Sequence, residues 1–172
     1  IVNIDGILKG YNTDMDGFLE PFKKKEIEII NKKILLLGAG GAARAIVAGF
    51  AKEKAKSITI ANRTLENAEK LSEFAGKIGL TADVLKIENV NESAKNYDII
   101  VNATSIGLKN EESVISLDGI NEKTVVYDIV YMPMNTDFIK KAKENNAIVI
   151  YGYEMLLGQA TRAFEIWHNM EA

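Results

Sequence analysis

Apolar residues recur along this chain in two alternating periods. Short, mostly apolar runs at 33–37, 57–61, 98–102, 124–128 and 147–150 are rich in Ile, Val and Leu and too short for helices, as strands buried on both faces are. Between them, apolar positions return at helical spacing over 14–25, 41–54, 65–74, 135–145 and 154–169. A shorter strand is expected at 81–85, a short helix at 90–95, and a strand, a turn and a strand across 1–9. Strands that alternate with helices imply an α/β fold, a parallel sheet covered on both faces. The carboxyl ends of such strands are where chemistry is sought.

The first of these ends carries the most informative motif. Strand 33–37 runs into Gly38-Ala-Gly40-Gly41-Ala-Ala43-Arg44 and then into a helix, so that G-x-G-x-x-A sits between strand and helix. Gly38 allows the tight turn, Gly40 lets backbone approach a phosphate, and Ala43 permits close helix packing. The helix start supplies unpaired N–H groups and a positive dipole end. Gly38, Ala39, Gly40, Gly41 and Ala42 are therefore candidate ligands of a dinucleotide pyrophosphate. The fold class sharpens to a Rossmann-type doubly wound sheet, three layers α/β/α, with strand order 3-2-1-4-5-6.

Where NAD enzymes place a carboxylate on the ribose, at the end of the next strand, this chain has Asn62-Arg63-Thr64. Arg63 can bind a 2′-phosphate through charge-assisted bonds and can stack on adenine. That favours NADP over NAD. Thr64 also stands where a helix N-cap is needed, and the two roles are compatible. Three further strand ends carry polar or glycine-bearing segments: 102–107, 128–133 and 151–153.

At 172 residues the chain has the size of one ordinary domain. A net charge of −3 with scattered lysines argues against nucleic acid and anionic membrane as partners. No apolar run reaches the roughly 18 residues of a membrane span, and position 1 shows no secretory leader, so a cytoplasmic protein is expected. The absence of cysteine removes thiolate chemistry and cysteine metal sites. Asn12, Asp14 and Asp16 imitate the start of a calcium loop, but its twelfth position would be Lys23, and no metal is expected.

Taken in order, Gly10-Tyr-Asn-Thr-Asp14, Gly38-Ala-Gly-Gly-Ala-Ala-Arg44, Asn62-Arg-Thr64, Asn102-Ala-Thr-Ser-Ile-Gly107, Asp128-Ile-Val-Tyr-Met-Pro133 and Gly152-Tyr-Glu-Met-Leu-Leu-Gly-Gln159 resemble the NADP-binding half of the shikimate dehydrogenase family. The resemblance implies reversible, NADP-linked reduction of 3-dehydroshikimate to shikimate, in aromatic amino-acid biosynthesis. The residues alone favour Asp14, or Thr13 before it, as a helix cap; the resemblance reverses this and makes Asp14 the substrate-binding carboxylate that acts beside a lysine in acid/base catalysis. Tyr131 and Gln159 correspond to positions that contact substrate. Gly152, Met155 and Ile129 correspond to positions around the nicotinamide, where Met155 and Ile129 also read as plain core. His168 is given no role.

Glu154 and Leu108 depart from the family's usual residues. The larger departure is that the family's N-terminal substrate domain, with its lysine, is not represented. Residues 1–14 are read as the tail of that domain and 15–172 as the NADP-binding domain, nearly inactive alone. Apolar surface left by the missing half implies a homodimer or packing on a neighbour. Two other readings stand beside this one: a quinate/shikimate dehydrogenase, and a non-catalytic NADP-binding module.

Overall fold

The computed structural model describes residues 1–90, 94–109 and 111–170. Strands Val2–Ile4 (β1) and Ile7–Lys9 (β2) pair antiparallel as a separate hairpin, and helix Asp14–Lys24 (α1) follows. The alternation then runs Lys33–Leu37 (β3), Ala43–Lys52 (α2), Ser57–Asn62 (β4), Leu65–Lys77 (α3) and Ala82–Lys86 (β5). It continues with Ile99–Asn102 (β6), Val125–Asp128 (β7), Asp137–Glu144 (α4), Ile148–Ile150 (β8) and Gly152–His168 (α5). The six strands β5-β4-β3-β6-β7-β8 form one parallel sheet, which is the expected 3-2-1-4-5-6 order.

The hydrophobic pattern explains this placement. Strands β3, β6 and β7 sit inside the sheet, and the apolar side chains of their cores are buried, as runs without polar alternation require. One face of the sheet is covered by α1, α2, α3 and α5, which bury Phe18, Phe22, Ile46, Phe50, Leu71 and Met155. The other face is closed by α4 and by irregular chain that buries Val90, Ile115, Leu117 and Ile120. On the first face Phe18 stacks on Tyr127 at 5.0 Å between ring centres and meets Phe50 edge-on at 5.1 Å, so that α1, α2 and β7 share one aromatic cluster. The Tyr127 hydroxyl is buried there without a hydrogen-bond partner among the described residues, and burial, helped by the Glu154 carboxylate, pushes its pKa up.

The short helix expected at 90–95 centres on residues 91–93, which lie outside the described residues; 3-10 turns Ile87–Asn89 and Ala94–Asn96 stand on either side of them. One expectation is corrected. The final helix starts at Gly152 rather than Glu154, which leaves Tyr151 alone as the connection from β8. The Tyr151 amide donates to the Glu154 carboxylate at 3.0 Å and the Glu154 amide donates to the Tyr151 carbonyl at 3.0 Å, and this pair lets the helix begin on two residues without apolar periodicity.

Candidate functional site along the carboxyl edge of the sheet

Parallel pairing brings six strand ends to one edge, in the spatial order β5, β4, β3, β6, β7, β8. At the centre, the Gly38 amide donates to the Ala61 carbonyl at 2.7 Å and keeps the chain in the sheet one residue past β3. Gly38 then turns with φ +100°, a region that side chains rarely tolerate, and a Cβ there would stand 2.8 Å from the Ala103 carbonyl oxygen. The glycine is thus required by the turn and by the chain leaving β6.

Gly40 and Gly41 are different. Both are exposed, and a Cβ on either would meet nothing within 4 Å. The amides of Gly40, Gly41 and Ala42 find no acceptor among the described residues, and Ala42 gives α2 no side-chain cap. Nothing inside the chain demands bare backbone here. The result is an open cradle of N–H groups at the positive end of a helix, which fits the pyrophosphate of a dinucleotide.

Beside the cradle lies a cleft of about 280 Å³ lined by Ala39, Gly40, Gly41, Arg44, Asn67, Lys70, Leu71 and Phe74. The Arg44 guanidinium rests over the Phe74 ring at 4.2 Å from its centre, and Lys70 pairs with Glu66 at 2.6 Å. That pair lowers the Glu66 pKa and raises that of Lys70, through the hydrogen bond first and the charges second. At the end of β4, the Asn62 side-chain amide donates to the Thr64 carbonyl at 2.8 Å and closes the turn that presents Arg63 to solvent. Thr64 occupies the N-cap position of α3, yet its side chain makes no cap hydrogen bond. Sequence reading had not assigned Arg44, Asn67, Lys70 or Phe74 to the cleft. Their signal was available in part, since Arg44 stands one turn past the glycines and Asn67 and Lys70 share one face of the next helix.

Asp14 is the first residue of α1, half-buried, with its amide donating to Asn12 Oδ1 at 2.9 Å. Helix α1 crosses α5 in close contact: a Cβ on Gly17 would stand 2.5 Å from the Gln159 amide nitrogen and 2.7 Å from the Met155 carbonyl oxygen. This crossing brings Thr13 to Gln159, whose Oε1 accepts a long 3.4 Å bond from the Thr13 hydroxyl. Asp14 and Gln159 are therefore gathered at one helix crossing. Tyr131 is half-exposed on the segment after β7, on the same edge of the sheet. Ile129 is half-buried against the core, and Met155, 8% exposed, belongs to it.

Beneath this edge Asn102, Asp128 and Thr136 form a buried polar cluster. Asp128 accepts from Asn102 Nδ2 at 2.9 Å, from the Val130 amide at 3.0 Å and from the Thr136 hydroxyl at 2.6 Å. Burial pushes the Asp128 pKa up against the pull of these three donors. The segment after β6 is held in addition by Glu111, whose carboxylate accepts from the Lys109 amide at 2.8 Å and the Gly107 amide at 2.9 Å, bonds that lower its pKa.

A doubly wound parallel sheet with a bare glycine cradle at its central strand defines a Rossmann-type domain of the kind that dehydrogenases carry. The profile of the Shikimate / quinate 5-dehydrogenase family matches residues 22–150, and the chain belongs to that family. A shikimate dehydrogenase (NADP(+)) of Nitrosopumilus maritimus is 76% identical over all 172 residues. Among solved structures, shikimate 5-dehydrogenase from Listeria monocytogenes in complex with shikimate and NAD superposes with a TM-score of 0.90 at 36% identity, over 99% of this chain and 62% of that one. The Thermus thermophilus enzyme in complex with NADP(H) and shikimate gives a TM-score of 0.81 at 33% identity, over 98% and 60%. This chain spans 63% of the length of the Nitrosopumilus relative.

Proposed function

We propose that this chain is the NADP-binding part of a cytoplasmic shikimate dehydrogenase, which reversibly reduces 3-dehydroshikimate to shikimate. The observation that carries the reading is the cradle of amides without an acceptor among the described residues, beside a cleft lined by Arg44 and Lys70, together with Arg63 and no carboxylate at the turn after β4. Residues 15–172 form the cofactor domain, and residues 1–14 lead from the domain that supplies the rest of the substrate site. No helix among the described residues is long and apolar enough to cross a membrane.

The cradle of Gly38, Ala39, Gly40, Gly41 and Ala42 holds the pyrophosphate, and Asn62, Arg63 and Thr64 hold the ribose phosphate. Bound NADP(H) supplies or accepts the hydride. Gly152 offers its backbone carbonyl to the carboxamide, while Ile129 and Met155 exclude water from the transfer. Tyr131 and Gln159 donate to the substrate's oxygens, and Asp14 binds a hydroxyl and orients a proton relay with a lysine from the other domain. The apolar residues Ile4, Ile7 and Leu8 are exposed on the hairpin, as are Leu157 and Trp167 on α5, and these patches are contact surfaces toward that domain or a second copy.

The test is calorimetric titration of this chain with NADP⁺ and NAD⁺. NADP⁺ is expected to bind at least about tenfold tighter, a difference of roughly 1.4 kcal/mol, and Arg63→Ala to erase that preference. Equal affinities in the parent chain would sink the NADP assignment. Binding of neither would leave the cradle without its ligand.

A further inference from the structure

Asp128 is 0% exposed, and no basic side chain pairs with it among the described residues. A carboxylate buried without a cation costs stability, so its presence is explained by what it holds. It holds two turns. On one side, Asn102 joins Asp128 to the segment after β6: Oδ1 accepts from the Thr104 amide at 3.1 Å and hydroxyl at 2.7 Å, and Nδ2 donates to the Ile106 carbonyl at 3.2 Å and to Asp128. On the other side, Asp128 accepts from the Val130 amide, while the Ile129 amide donates to the Asn102 carbonyl at 3.0 Å. Thr136 ties in α4, since its hydroxyl oxygen also accepts from the Ile139 amide at 3.3 Å.

The same stretch is wedged from above. A Cβ on Gly152 would lie 2.5 Å from the Ile129 carbonyl oxygen and 2.6 Å from the Val130 carbonyl carbon, so the first turn of α5 presses on the peptide that Asp128 holds from below. Ile129 supplies the carbonyl of that peptide and Tyr131 follows it by one residue, so a shift of this backbone strains these contacts.

We propose that Asp128 is a positioning residue for hydride transfer: acting as a hydrogen-bond acceptor, it locks the turn after β7 to the turn after β6 and so fixes Ile129 and Tyr131. The proposal rests on the reading of this edge as the nicotinamide side of an NADP site. Charge has no part in the role, and this gives the test its sharpest arm. In Asp128→Asn the amide oxygen can keep the bonds from Asn102 and Val130, while the new NH₂ faces a Thr136 hydroxyl able to accept. Asp128→Ala removes all three bonds.

Two measurements decide the matter. In this chain, exchange of the Val130 amide with solvent, followed by NMR, is expected to stay near the parent rate in Asp128→Asn and to quicken by at least about tenfold in Asp128→Ala. In the full-length enzyme, Asp128→Asn is expected to keep most of its kcat. Asp128→Ala loses about tenfold or more, with a raised KM for shikimate and an unchanged Kd for 2′,5′-ADP, which probes only the adenosine half. A mere loss of folded protein would lower kcat and 2′,5′-ADP stoichiometry together and leave KM alone. An Asn variant as slow as the Ala variant, or a Val130 amide indifferent to both, overturns the proposal. Failure of the parent to bind 2′,5′-ADP would instead sink the NADP reading, and the role in hydride transfer with it.

Discussion

Asp14→Asn in the full-length enzyme is expected to lower kcat by about 10²- to 10⁴-fold, the usual cost of removing a well-placed acid/base group. The substitution keeps size and shape, and the Asp14 amide keeps its bond to Asn12, so the start of α1 is undisturbed. On the proposed function, what is lost is a group that would share a proton with a lysine of the other domain and the substrate oxygen. Calorimetry with NADP⁺ should show unchanged affinity, because the glycine cradle follows β3, whereas Asp14 stands where α1 begins beside α5. A kcat that falls by less than about tenfold would reduce Asp14 to a helix-start residue. A parallel fall in cofactor affinity would point to damage beyond the proton relay.

Gly17→Ala should have the second large effect, this time on stability and substrate affinity together. The added methyl would enter a space bounded at 2.5 Å by the Gln159 amide nitrogen and at 2.7 Å by both the Gln159 Cβ and the Met155 carbonyl oxygen. Two of these atoms are backbone and cannot swing away, so α1 and α5 must separate. Overpacking of this kind costs about 1–3 kcal/mol. The separation also moves Thr13 and Asp14 away from Gln159, which couples the packing defect to chemistry. Thermal unfolding of this chain should show the loss of stability, and the full-length enzyme should show a raised KM for shikimate with cofactor affinity kept. An unchanged KM in a destabilised variant would mean that the crossing serves packing alone.

Much of this arrangement was legible in the chain before folding. Strand β3 came out with the expected limits, because five residues with four consecutive aliphatics end on a glycine that only a turn can use. The long helices were found to within a few residues, as period and length are strong signals there. Of the stretch 90–95, Val90 and Ala94 are buried in the core on the far face of the sheet, which accounts for the apolar signal there. The start of α5 was missed because a capping pair, Tyr151 and Glu154, set it instead of hydrophobic spacing.

The candidate site divides in the same way. Its glycines and its Asn-Arg-Thr turn are contiguous and show themselves as motifs. The Asn102, Asp128 and Thr136 cluster joins three separate segments, and only the fold makes them neighbours. A hint was present, since Asn102 and Asp128 each close an otherwise apolar strand, and a polar residue at such a place must find a partner. Which partner it finds is a matter of strand order.

The unequal cover of the sheet's two faces sets the order in which this fold lets go. Four helices and an aromatic cluster seal one face, while eight-residue α4 and irregular chain close the other. Local openings with small free energies belong to regions of that second kind. On warming, residues 111–124 should therefore come loose while α1, α2 and α5 still hold together. The protein can breathe on the side away from α2 without surrendering the packing that supports its glycine cradle.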